Sequence, residues 1–256
     1  MTSASNGTTR SLAAQAAAET IGRLQAGYRH SLPPAIAAVA RLRREAGRDP
    51  HATPTSWGLD DLEALTRLRD LASRQEEDDA TKPFLYQDRV RREAQEERED
   101  RAVHLAVTLW ALHQQSLREE PMHVSGWTLG RAARRLAEGR TGSRDRVGDE
   151  DSGPDTAAEE GTRPKAVPDA DLSPAVRKRF VRVGGSTDFD TLGVRLRELV
   201  LLLRTARIPL DYGRLADQLD RWQQVAFQAG VRREWGRGFH RVHAPSTDPA
   251  TADASD

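Results

Sequence analysis

The side chains of this 256-residue sequence that could do chemistry are its seven histidines, its carboxylates and its lysines and arginines. The histidines form no His-Glu-x-x-His pair, no His-Asp dipeptide and, with cysteine absent altogether, no Cys/His zinc cluster. His104, His113 and His123 are the only ones near enough in sequence to suggest a metal or acid–base group, and satisfied or surface histidines are the default for such a spacing. Gly184-Gly185-Ser186 has no lysine after its glycines, so no phosphate-cradling loop is formed, and there is no nucleophile elbow. Carboxylate pairs such as Glu119-Glu120 and Asp60-Asp61 stand where helix ends and turns place them anyway. No catalytic residue, metal or cofactor is expected, and an enzyme is not the reading.

The cations remain. Lysine and arginine together number 39, matched by 39 acids, so the formal charge is zero, yet the charges are unevenly spread. Residues 149–160 are acidic without one basic residue, whereas residues 173–242 are basic. Arginine offers a planar fork of donors suited to phosphate oxygens, and residues three and four apart on a helix point the same way. Three groups meet that description: Arg41, Arg43 and Arg44; Arg131, Arg134 and Arg135; and Arg177, Lys178, Arg179 and Arg182. The last group has no acid between Asp171 and Asp188. Arg204 and Arg207 are weaker candidates. Trp110, Trp222, Trp235, Phe180 and Phe239 fall on apolar faces and are expected in the core, so binding should follow backbone shape rather than base identity.

The elements that must carry these cations are helices. Apolar residues recur at spacings of three and four, and period-2 alternation is absent. A first helix is predicted through Leu12, Ile21, Leu24 and Tyr28, and Pro33-Pro34 opens a second that Gly47 ends. Leu62, Leu65, Leu68 and Leu71 mark a third, with residues 74–79 as a loop or a solvated helix end. A densely charged stretch, 84–100, runs without a breaker into the apolar 103–116, predicted to be the central helix. Thr128 caps a helix that turns Leu129, Ala132, Ala133 and Leu136 inward and Arg131, Arg134 and Arg135 outward, with Gly139 stopping it. Ser173-Pro174, residues 188–204, Tyr212 to Trp222 and Trp235 to Val242 begin or mark four more.

The expected fold class is all-α: two helical-bundle lobes, 11–120 and 121–243, joined near residues 121–127, with disordered tails at 1–10 and 244–256 and a disordered acidic insertion at 140–171. No apolar run approaches the roughly 20 residues of a membrane span and residues 1–9 lack signal-peptide features, so a cytoplasmic protein with no membrane partner is expected.

The series His104-Leu105-Ala106-Val107-Thr108-Leu109-Trp110, Met122-His123, Leu129-Gly130-Arg131-Ala132, Val176-Arg177-Lys178-Arg179-Phe180, Leu196-Arg197-Glu198-Leu199-Val200, Ile208-Pro209-Leu210-Asp211-Tyr212 and Trp235-Gly236-Arg237-Gly238-Phe239 resembles the CasB family, the small subunit of the type I-E CRISPR surveillance complex, Cascade. The likeness spans about residues 32–241, and it departs at the acidic insertion and at 74–100. It implies a non-catalytic helical subunit that pairs with a second copy of itself. Its partners would be the large subunit and the backbone subunits of Cascade, together with the guide RNA and target DNA backbones. Its basic surface would support the guide–target hybrid and the displaced strand, base pairing reading the sequence while protein contacts tip a balanced strand exchange. A helical protein–protein adaptor and a helix-turn-helix DNA-binding regulator built on Leu129–Leu136 are the alternatives, although a long polar insertion, rather than a recognition helix, follows the latter.

Overall fold

The structure, a computed structural model, describes residues 10–51, 62–79, 86–143 and 172–241. The described residues form nine helices and no named strand: α1 (Leu12–Arg29), α2 (Pro33–Glu45), α3 (Glu63–Asp79), α4 (Tyr86–Gln114), α5 (Leu129–Ala137), α6 (Pro174–Gly184), α7 (Phe189–Thr205), α8 (Tyr212–Trp222) and α9 (Val225–His240). The all-α class is as the periodicity requires. The tails at 1–9 and 242–256, Val242 included, and residues 144–171 of the acidic insertion lie outside the described residues.

Local signals explain most of the helix ends. The Ser11, Thr128, Asp188 and Asp211 side chains each accept a backbone N–H from the first turn of the helix that follows, satisfying a donor with no intrahelical partner. Proline opens α2 and α6, where a missing N–H costs nothing. Past the ends of α2 and α5, Gly47 and Gly139 take φ of +90° and +71°, a conformation that side chains resist.

The charged 74–79 stretch continues α3, and the charged and apolar stretches that follow fuse into the single helix α4 of 29 residues, roughly 43 Å long. The two halves of α4 differ sharply. Residues 87–95 are solvent-exposed, whereas every residue from 102 to 114 is buried. Arg69 of α3 clamps the transition, donating to the Glu99 and Asp100 carboxylates at 2.7–3.0 Å and to the Glu96 carbonyl at 2.7 Å.

The buried half of α4 is the hub, with α1, α2, α7 and α8 packed on it, while α8 also packs on α1 and α9. One apolar cluster thereby runs from Ala13 and Ile21 through Trp110 to Leu199, Leu215 and Phe239, linking the two expected lobes. Gln25 pins their junction: its Oε1 accepts from the Trp110 indole at 3.3 Å and the His123 amide at 2.8 Å, while its Nε2 donates to the His123 carbonyl. Both polar atoms of the Gln25 amide are thus paired, as a dry interior favours. Residues 140–143, the start of the expected insertion, are held by a Gly142 N–H bond to the Ala206 carbonyl at 2.8 Å.

Candidate nucleic-acid interface

The α6 helix divides cleanly. Phe180 and Val183 are buried, with Val176 half-buried one turn earlier, and Phe180 stacks on Phe239 of α9 with ring centroids 5.0 Å apart. Arg177, Lys178, Arg179 and Arg182 occupy the solvent side and are all exposed. Among the described residues none of the four has an ion-pair partner. Like charges at helical spacing repel, so this face lacks internal neutralisation and favours an external anion. Its scaffold is firm. The Ser173 N–H bonds to the Ala137 carbonyl at 2.8 Å, and Arg195 of α7 donates to the Arg182 carbonyl at 2.6 Å, covering the electronegative end of α6.

The α5 arginines are a correction. Arg134 and Arg135 do not face outward: they are 5% and 8% exposed. Arg134 Nε lies 2.8 Å from a Glu138 carboxylate oxygen. Arg135 donates to the Gly142 carbonyl at 2.6 Å and to the Thr141 carbonyl at 3.3 Å. Arg131 is half-buried, with its guanidinium 4.0 Å above the Trp127 ring. The cause is that α5 is packed by α6, α7 and α9 and overlaid by residues 138–143, so that its polar side faces protein. With those arginines spent internally, α5 retains little of the base-reading face that a recognition helix presents.

The other candidates are scattered. Arg41 and Arg44 are exposed and Arg43 is half-buried at the end of α2, which packs chiefly on α1 and α4, whereas α6 packs on α5 and α7. Arg204 is half-buried and donates to Gln115 at 3.4 Å, and Arg207 faces Glu120 at 3.7 Å. The structure instead adds cations from α9 that the sequence reading missed. Arg232, Arg233 and Arg237 are exposed, and Arg232 reaches the Ser186 carbonyl just past α6 at 3.3 Å. Only Arg237 stood in the Trp235-Gly236-Arg237-Gly238-Phe239 series, and which side of α9 meets α6 is a tertiary fact.

His113 and His123 serve structure. His113 Nδ1 lies 2.8 Å from the buried Tyr212 hydroxyl, and His123 Nδ1 accepts the Tyr212 amide at 3.1 Å. Burial drives the His113 pKa down to about 3, too low for proton exchange near neutrality. Among the described residues no group of three or more histidines, aspartates or glutamates is placed to hold a metal, and no helix is long and apolar enough to cross a membrane.

An all-α bundle whose α6 presents an exposed basic face without an ion-pair partner among the described residues is thus the class of protein that geometry defines. Residues 38–240 match the family model described as CRISPR-associated protein Cse2, and this chain belongs to that family. Its fold is similar to that of CasB from Thermobifida fusca, whose crystal structure it matches at a TM-score of 0.63 and 33% sequence identity over 91% of this chain and 100% of the other. No curated protein sequence matches.

Proposed function

We propose that this chain is a non-catalytic small subunit of a Cascade-type CRISPR complex, and that its α6 face grips sugar–phosphate backbone to support the guide–target hybrid and the displaced strand. The observation that carries this reading is the row of four exposed cations on α6, Arg177, Lys178, Arg179 and Arg182, with no carboxylate to neutralise it among the described residues. Guanidinium groups on a rigid rod hold phosphates without reading bases, and in RNA-guided recognition such contacts tip an exchange that base pairing leaves almost balanced. The family supports the setting. In it the chain stands with a second copy beside the large subunit and the backbone subunits that carry the guide.

The test is Arg177→Ala with Arg179→Ala in the assembled complex. Target binding and strand displacement should weaken while the subunit still assembles. Normal R-loop formation by this variant counts against the assignment of the face.

A further inference from the structure

A cleft of ≈ 730 Å³ is lined by the start of α1, residues 123–126, α8 and Glu234 of α9. None of the four α6 cations lines it. Its size falls within the about 300–1,000 Å³ of small-molecule sites. Its carboxylates are occupied. Asp211 accepts the Gly126 amide at 2.8 Å and the Arg214 amide at 3.0 Å, Asp217 accepts Arg221 at 2.8 Å, and Glu234 accepts Arg221 at 2.8 Å and Gln218 at 2.9 Å.

Three groups that stay open are donors. The Tyr212 amide donates to His123 Nδ1 at 3.1 Å, and because a backbone N–H cannot accept, Nδ1 carries no proton. Burial lowers the His123 pKa, so the ring is neutral at pH 7 and its one proton sits on Nε2. His123 is only half-buried, and its Nε2 has no hydrogen-bond partner among the described residues. Arg10 and Ser125 line the same cleft and are exposed. Among the described residues neither the Arg10 guanidinium nor the Ser125 hydroxyl has a partner. Both α1 and α8 begin on this cleft, and the positive ends of their dipoles add to the same sign.

We infer that this cleft binds the phosphate group of a small phosphorylated molecule, with Arg10, His123 Nε2–H and the Ser125 hydroxyl donating to its oxygens. Three open donors suit the three terminal oxygens of a phosphate monoester better than the two of a carboxylate. Phosphate alone would not fill ≈ 730 Å³, and the wall of Ala14, Ala18 and Gly213 is where an organic body would lie. The inference goes beyond the proposed function, since it needs neither a strand nor the α6 cations.

The test is long-range proton–nitrogen NMR of the isotope-labelled full chain near neutral pH, titrated with inorganic phosphate, uridine monophosphate and acetate. The His123 ring should show a protonated Nε2 and an unprotonated Nδ1. Its signals should shift saturably with phosphate, at a dissociation constant on the order of 1 mM, more tightly with the nucleotide and much more weakly with acetate. Arg10→Ala removes an exposed side chain and should weaken phosphate at least about tenfold, the size of one lost charged hydrogen bond. His123→Phe should abolish the response that phosphate produces at Ser125, with its melting temperature recorded because the Tyr212 bond is lost too. Arg177→Ala with Arg179→Ala should leave binding unchanged. A protonated Nδ1, shifts that never saturate, acetate as tight as phosphate, a nucleotide no tighter than phosphate, or full affinity in Arg10→Ala would each overturn the site. Loss of the response in the α6 double variant would assign the phosphate to the α6 face and overturn it as well.

Discussion

Gly130 of α5 lies against Phe239 of α9 so closely that a Cβ on Gly130 would come within 2.5 Å of the Phe239 backbone nitrogen and collide with the Trp235 carbonyl oxygen. All of these are backbone atoms, which cannot rotate aside. The two helices therefore cross at a glycine contact, and the crossing sets where α9 passes relative to α6. Gly130→Ala should destabilise the chain by about 1–3 kcal/mol, the usual range for overpacking, whereas Gly236→Ala should raise the melting temperature slightly. Thermal denaturation of both variants checks the contrast, and a neutral Gly130→Ala would mean that the helices do not meet this closely.

Arg134 and Arg135 should behave as structural residues. Arg134→Ala removes the 2.8 Å ion pair of the mostly buried Glu138 carboxylate, which keeps Arg140 at 3.6 Å, and should cost about 1–3 kcal/mol of stability. Arg135→Ala frees the Gly142 and Thr141 carbonyls and should loosen residues 140–143. Urea denaturation, read beside single-strand binding, separates the roles: a lower midpoint at unchanged salt dependence is expected. Loss of affinity at full stability would restore a phosphate role for them.

How much of this was legible in the sequence depended on the range of the forces involved. Capping at Thr128, the proline starts at Pro33 and Pro174, and the helix over residues 188–204 are local, and local spacing revealed them, whereas the caps at Asp188 and Asp211 emerged only with the structure. The α6 face was legible for the same reason. What failed was the assumption that a polar stripe on an amphipathic helix meets water. The second layer over α5 is assembled by residues 138–143 and by α9, about a hundred positions downstream, and nothing in the spacing of Arg131, Arg134 and Arg135 encodes it. The fusion of the charged and apolar stretches into α4 was half visible, since no breaker separates them.

The half-buried Asp220 and the buried His113 give stability opposite slopes with pH. Asp220 has its pKa raised to about 6, first by burial and then by the nearby Glu99 charge, so the fold binds more protons than the unfolded chain between about pH 4 and 6. Its ionisation makes stability fall as pH rises through 6. Asp220→Asn should accordingly raise the melting temperature more at pH 8 than at pH 4. His113 works the other way. Its pKa is lowered from 6.5 to about 3 by burial, so its contribution is complete above pH 6.5 and is lost as pH falls toward 3. Melting curves from pH 4 to 8 should show the two slopes opposing each other, and an Asp220→Asn variant with an unchanged profile would contradict the assignment to Asp220.

The salt dependence of strand binding measures how many α6 cations meet phosphate. Each phosphate contact to a single strand releases counterions and steepens the slope of log affinity against log salt by about 0.7. Exposed cations with no ion-pair partner among the described residues give up no internal bond on binding, so the full contribution of each should appear in that slope. Arg177→Ala should flatten it by about 0.7, and adding Arg179→Ala should flatten it by about as much again. Arg207→Ala removes a cation already facing Glu120 and should change it far less. Titrations from 50 to 200 mM salt with the isolated chain bring out the difference. Equal slopes for the wild type and the α6 double variant would mean that the strand is held elsewhere, because counterion release counts contacts wherever they are made.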